Sequence, residues 1–249
     1  MGIRETMIFI DAREGLSGDT LLAAMLGLLD DQERLGVVGK AEQVAKRLGL
    51  EFRLLDIDEA GEQGLGIAYK ELAPGPPEER SYDACFSLLT EIQNGLGTED
   101  EKEGRSILRL IFEAEGRAHM LPPEEVHLHE IGRPQAILNI ALIGHLSAWL
   151  RKTGGPFVCS TIMTGSGIVV VSHGAVRIPP PASVALLEGM KHERGDSPGE
   201  RATPTGIASV KALIERQTDD VPATIRRKSI GFGTRRFAGR LGRTTIMLA

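Results

Sequence analysis

Cysteine is nearly absent: Cys85 and Cys159 are the only two in 249 residues. They lie far apart and form no CxxC, which excludes a disulfide-stapled scaffold and a cysteine-rich zinc site and points to a reducing, cytoplasmic setting. Aromatic residues are scarce as well, at 4% of the chain. The core therefore has to be built from Leu, Ile, Val and Ala. Basic charge is not in excess: 29 Lys and Arg stand against 34 Asp and Glu, for a net charge of −5. That disfavours non-specific binding to nucleic acid, which rests on neutralising phosphates with cations. No apolar run approaches the ~18 residues of a membrane span. The longest candidate, Ile137 to Leu150, contains Asn139 and His145. Arg4, Glu5, Asp11, Arg13 and Glu14 interrupt any signal-like segment at the start of the sequence. Gly2 with Thr6 fits a myristoylation pattern only formally, because a short apolar strand follows at once.

What is present is ordinary globular material, 41% hydrophobic. The length suits one large domain or two small ones, at roughly 100–200 residues each. Met7–Asp11 reads as a short strand ending in a carboxylate. Thr20–Leu29 reads as a buried helix starting near Ser17 or Asp19. A helix over Ala41–Leu48 is followed by strands over Phe52–Ile57 and Gly66–Leu72, with Gly61 and Gly64 turning between them. Ala73–Glu79 is a Pro-rich loop or linker. Helical spacing returns at Tyr82–Ile92 and Glu101–Met120, and again from Pro134 to about Leu150. Beyond it, strands are expected at Phe157–Ser160 and Gly167–Ser172 and a short helix at Ala182–Leu187. Glu188–Glu200 reads as a surface loop, Thr205–Arg216 as a helix, and Ile225–Phe232 and Thr244–Leu248 as closing strands. Helices dominate the middle and strands the ends, so the expected class is α+β, a helical middle flanked by mixed sheet segments. Subdomain boundaries near 73–81 and 151–157 are the places to look for a division of 1–249.

Five motifs carry chemistry. Asp11 and Gly15-Leu16-Ser17-Gly18-Asp19 join a strand to a helix. Such a loop offers a helix N-terminus and close backbone approach to an anion, with Asp19 able to hold an attached metal. Equally, Ser17 or Asp19 simply caps the helix. His127-Leu128-His129-Glu130 puts two imidazoles on one face if extended, a start for Ni²⁺, Zn²⁺ or Cu²⁺. Glu130 joins them only if the chain bends, and H-x-H runs also occur in inert loops. Gly165-Ser166-Gly167, His173-Gly174 and Pro179-Pro180-Pro181-Ala182 would bring His173 to a turn as an acid/base group, a third ligand or a merely solvated ring. Thr203-Pro204-Thr205-Gly206 opens a helix and suits an anion or a cap. Gly231-Phe232-Gly233-Thr234-Arg235-Arg236 combines exposed backbone with arginines that pair with phosphate, or forms a solvated rim. There is no G-x-S-x-G elbow. A metal with a phosphorylated ligand fits this set better than hydrolysis does.

In this order the motifs resemble the LarC family of nickel insertion proteins, over nearly the whole chain. The family's D-x-F-S-G-I-S-G-D-M is matched by Asp11 to Thr20. An R-x-Y segment is echoed by Arg80-Ser81-Tyr82. V-H-F-H-E-V-G is matched by Val126 to Gly132, and G-S-G, H-G and P-x-P-A by Gly165–Gly167, His173-Gly174 and Pro179–Ala182. T-P-T-G is Thr203–Gly206, and G-Y-G-A-G corresponds to Gly231–Arg235. The resemblance implies insertion of nickel into a bis-thiocarboxylated pyridinium mononucleotide, coupled to CTP hydrolysis, a lyase-type step in nickel-pincer cofactor synthesis. It implies His127, His129 and Glu130 at nickel. It puts Asp11, Asp19 and His173 in the chemistry, and Gly15, Ser17, Gly18, Thr203, Thr205 and Arg235 at the substrate. Full-length members carry a further C-terminal module for CTP with Mg or Mn. This chain ends where that module would begin, so a CTP-binding partner chain is expected, and an oligomer is possible. Two departures stand out: Gln135 and Asn139 occupy positions where the family carries carboxylates. They leave open a paralogue without metal chemistry that acts as a nucleotide-binding regulator or scaffold, and a different enzyme on the same scaffold.

Overall fold

The computed structural model describes residues 6–73, 79–98, 102–171 and 174–249. Strand β1 (Ile8–Asp11) leads into helix α1 (Gly18–Gly27), then α2 (Asp31–Arg47) and the hairpin β2 (Leu50–Glu59) and β3 (Glu62–Glu71). The two residues of β4 (Arg80–Ser81) precede α3 (Tyr82–Leu96) and α4 (Lys102–His119); β5 (His127–Leu128) precedes α5 (Pro134–Gly154). A run of short strands follows: β6 (Phe157–Cys159), β7 (Ile162–Met163), β8 (Gly165–Ser166), β9 (Ile168–Val171) and β10 (Gly174–Arg177). Then come α6 (Pro181–Leu187), β11 (His192–Glu193), β12 (Gly199–Glu200), α7 (Pro204–Leu213), β13 (Ile214–Gln217), β14 (Arg227–Phe237) and β15 (Arg240–Leu248).

The fold is α+β, as the pattern of elements predicts. Seven strands form one mixed sheet in the order β13-β6-β1-β15-β14-β3-β2. β1 runs parallel to β6 and antiparallel to β15, and β14 runs parallel to β3. The sheet thus takes strands from both sides of both candidate boundaries. Alternation along β1 divides its side chains: Ile8 and Ile10 join the main core, while Phe9 joins Val158 and Met247 in a small cluster of its own. Helix α1 packs against β14, β15 and β3, with α5 against it in turn. Both helices are buried over most of their length, so neither has the one-sided apolar stripe of a surface helix. Pro134 occupies the first turn of α5, where a missing N–H costs nothing. Among the described residues no helix is long and apolar enough to cross a membrane.

Several expectations are corrected. The second helix begins at Asp31, capped by Asp30 with Glu33 reaching back, a polar start that apolar periodicity does not register. Gly64 lies inside β3, against the backbone of Ile230, and Ala60 and Gly61 make the turn. The expected loop 188–200 contributes β11, paired with β7, and β12, paired with β8. The helix expected to run to Arg216 stops at Leu213, and Ile214–Gln217 becomes the edge strand beside β6.

Candidate functional site

Three segments meet at one end of α1. The loop before α1 is clamped to the segment before α7: the Leu16 N–H donates to the Arg201 carbonyl (2.8 Å) and the Thr203 N–H donates back to the Leu16 carbonyl (2.9 Å). A Cβ on Gly206 would lie 2.5 Å from the Leu16 carbonyl oxygen, so only glycine lets α7 begin this close to the loop. The β14–β15 hairpin closes the third side, where Thr244 and Thr20 share a 2.7 Å hydroxyl hydrogen bond. Between these segments lies an open cavity of about 230 Å³.

Of the residues singled out from the sequence, the cavity brings together Gly15, Ser17, Asp19, Thr203 and Arg235. The Ser17 hydroxyl accepts from the Thr20 N–H and the Thr203 hydroxyl from the Gly206 N–H, so each caps its helix. Gly18 and Thr205 do not line the cavity; they pack on each other between the two helix starts. Asp11 is turned elsewhere. Burial works to raise its carboxyl, but the hydrogen bonds from Arg13 outweigh this and hold it below the usual range. His127 is exposed, with Nδ1 3.2 Å from the Glu125 carbonyl. His129 has Nδ1 3.2 Å from a Glu79 carboxylate oxygen. Leu128 between them is buried and Glu130 is exposed. Among the described residues no group of three or more His, Cys, Asp or Glu is gathered as a metal site. His173 lies outside the described residues.

Asp19 opens onto the cavity while protein surrounds it on its other sides, and this desolvation raises its carboxyl above the ordinary value. Asn139, only 4% exposed, donates from Nδ2 to Asp19 Oδ1 (2.5 Å) and accepts from the Tyr69 hydroxyl at Oδ1 (2.7 Å). A tyrosine–amide–carboxylate chain thus runs from the sheet to the cavity. Burial and the Asp19 charge hold the Tyr69 hydroxyl well above the usual tyrosine range, so Tyr69 stays a donor.

Sequence reading missed Glu200 and Arg201. Glu200 is pushed up to about 7, chiefly by burial; Arg235 opposes the shift and the charge of Glu130 adds to it. Its Oε1 is buried without a hydrogen-bond partner among the described residues, and its Oε2 is 3.9 Å from Arg235 Nη1. Arg201 lies over the Phe237 ring at 4.8 Å, and its Nε is buried without a hydrogen-bond partner among the described residues. Arg243 is committed to Glu14 and Glu62, which hold its guanidinium more firmly protonated than usual. Position was the available signal, since Glu200-Arg201 is separated from T-P-T-G only by Ala202.

The family model of the nickel insertion protein matches residues 8–248. The chain belongs to the nickel insertion protein family. One relative, from Staphylococcus epidermidis strain ATCC 12228, is named pyridinium-3,5-bisthiocarboxylic acid mononucleotide nickel insertion protein. It is 29% identical over 92% of this chain and 56% of its own length. A relative of the same name from Thermotoga petrophila is 27% identical over 92% of this chain and 57% of its own length. The chain therefore spans a little over half the length of these nickel insertion relatives. No solved structure matches it. The family match runs through the loop before α1, the β5 segment, the start of α7 and the β14–β15 hairpin, so every wall of the cavity lies within it.

Proposed function

We propose that this chain binds nickel and a pyridinium mononucleotide for insertion of the metal, as a component of nickel-pincer cofactor synthesis. The observation that carries the reading is a cavity of mixed charge beside which two polar atoms lack a partner among the described residues. Asp19 and Glu200 line it with Arg201 and Arg235, and Glu200 Oε1 and Arg201 Nε are buried without hydrogen-bond partners among the described residues. Buried polar atoms are rarely left unpaired unless a ligand or water completes them. A pyridinium mononucleotide is complementary: a cationic ring for the carboxylates and an anionic phosphate for arginine. Arg235, with its side chain 66% exposed, is the rim group suited to the phosphate. The cavity is below the ~300 Å³ at which whole-ligand pockets begin, so in this reading it takes the ring end and the rim takes the phosphate.

Nickel is cargo in this reading. His127 is exposed at the start of β5, and His129 stands half-buried in the bend just after the buried Leu128. Two imidazoles leave coordination positions open, which suits a metal that is handed on to sulfur ligands rather than kept. CTP with Mg²⁺ or Mn²⁺ enters only through a further module or partner chain. A cytoplasmic setting goes with this reading, in which Cys85 and Cys159 remain free, buried thiols. One feature favours the alternative of a nucleotide-binding regulator without metal chemistry, namely the amide Asn139 bound to Asp19 where a second carboxylate would bring charge for a cation.

Calorimetry with Ni²⁺ in the presence of the mononucleotide separates the two. The double variant His127→Ala/His129→Ala is expected to weaken nickel binding by about tenfold or more. Its melting temperature should stay close to that of the parent, because neither ring is part of the core. Unchanged nickel affinity in the variant would remove the histidines from the account and favour the regulator.

A further inference from the structure

Asp19 is a carboxylate without a cation. It lines the cavity and is exposed there, and no arginine, lysine or histidine is paired with it among the described residues. The arginines nearby are engaged elsewhere: Arg243 with Glu14 and Glu62, Arg235 with Glu200, and Arg201 over the Phe237 ring. The one hydrogen bond to Asp19 among the described residues comes from Asn139 on α5, whose Nδ2 donates to Oδ1. The direction of that bond is fixed at both ends. An ionised carboxylate only accepts, so the amide has to turn its nitrogen to Asp19. Asn139 Oδ1 is then left to Tyr69 on β3, whose hydroxyl donates to it at 2.7 Å. Tyr69 is itself set edge-on against Phe52, with ring centroids 5.4 Å apart. Three elements, α1, α5 and β3, thus hold one amide in one orientation.

We infer that Asn139, oriented by Tyr69, sets the Asp19 side of the cavity for a singly charged, flat organic cation and against a divalent metal ion; this rests on the mononucleotide reading above. A divalent ion gives up its water only for several oxygen donors carrying enough negative charge. Here it would meet one carboxylate, and beside that carboxylate an amide nitrogen, which has hydrogens and no lone pair to offer. The amide oxygen that could ligate the ion is spent on Tyr69. Flipping the amide would leave the Tyr69 hydroxyl hydrogen without its acceptor, a costly loss for a buried group. A pyridinium ring asks for less. Its single charge is spread over the ring, it needs no lone-pair donors, and one carboxylate neutralises it. Asn139 and Tyr69 act here as positioning residues, because both work on the ligand through Asp19. The same arrangement keeps nickel off the carboxylate that receives the ring.

The test measures two ligands on the full chain and on three variants: pyridinium-3,5-bisthiocarboxylic acid mononucleotide by calorimetry, and MnCl₂ alone by electron paramagnetic resonance. Neither measurement requires turnover. Asp19→Asn keeps the shape, loses the charge, and should weaken the mononucleotide about tenfold. Asn139→Asp places a second carboxylate beside Asp19 and should bind Mn²⁺ at least about tenfold more tightly than the parent. Tyr69→Phe keeps the ring against Phe52 and frees the amide to turn its oxygen toward a cation. Its Mn²⁺ affinity should rise about threefold, a gain that mere loosening of the packing does not produce. Mn²⁺ affinity unchanged in a folded Asn139→Asp would overturn the inference. Should that variant not fold, unchanged Mn²⁺ affinity in Tyr69→Phe would overturn it instead. Mononucleotide affinity unchanged in Asp19→Asn would also overturn it, while leaving the mononucleotide reading intact. A parent chain that binds no mononucleotide would overturn both the inference and the reading beneath it.

Discussion

Gly231→Ala is expected to cost about 3 kcal/mol of folding stability or more, at the upper end of what overpacking a core does. A Cβ at this position would lie 1.9 Å from the Thr20 carbonyl oxygen and 2.7 Å from the Ala24 nitrogen. Both atoms belong to the backbone of α1, so no side chain can rotate away and the helix itself must lift off β14. Helix α1 is the centre of the packing: Thr20, Leu21, Leu22, Ala23, Ala24, Met25 and Leu26 are all buried. Lifting it also separates Ser17 and Asp19 from the hairpin that closes the cavity. Urea or thermal unfolding checks this. A Gly231→Ala chain within about 1 kcal/mol of the parent would show that the contact between α1 and β14 is looser than described.

The second large effect is a pH dependence of stability centred on Glu200. Its carboxyl titrates near 7 in the folded chain against an ordinary 4.5. A carboxyl raised on folding binds a proton more tightly when folded, so stability is lost as pH rises from 4.5 through about 7. The gap amounts to at most about 3 kcal/mol, fully felt above pH 7 and absent well below 4.5. Glu200→Gln removes the buried charge without removing the shape. At pH 8 it is expected to melt several degrees above the parent, at about 2–4 °C per kcal/mol for a chain of this size. The difference should shrink steadily as the pH falls toward 4.5. A variant less stable than the parent at pH 8 would mean that Arg235 compensates the charge and that Glu200 is a structural ion pair. Higher stability in the variant is what a carboxylate held in a buried position requires: the charge is kept at a cost to folding.

Local signals made much of the scaffold legible. Ser17 marked the start of α1, Pro134 the first turn of α5, and the run Met7–Asp11 an interior strand of the sheet. The cavity was half visible for the same reason: Ser17 and Thr203 announce themselves as helix starts, wherever their hydroxyls then point. Glu200 was not visible, because what buries it is long-range. A two-residue ladder with Gly165 and a bridge from Leu16 to Ala202 leave no periodicity behind, and the polar stretch 188–200 looks solvated. Asp11 failed as a cavity residue through a neighbour two positions on, where Arg13 captures the carboxylate that a loop free of arginine would leave available. The meaning of Asn139 also depended on the fold. A buried amide on a helix reads as packing until Tyr69 and Asp19 are seen at its two ends.

The measurement that bears most directly on the central claim is an NMR titration of the ¹⁵N-labelled chain with pyridinium-3,5-bisthiocarboxylic acid mononucleotide, repeated with Arg235→Ala. The account predicts saturable shifts at the amides of Gly15, Thr20, Glu200, Arg201 and Gly233, which surround the cavity. It also predicts affinity about tenfold weaker in Arg235→Ala, the loss of one charge-assisted phosphate contact. Absence of binding, or shifts confined to other surfaces and indifferent to Arg235, would contradict it.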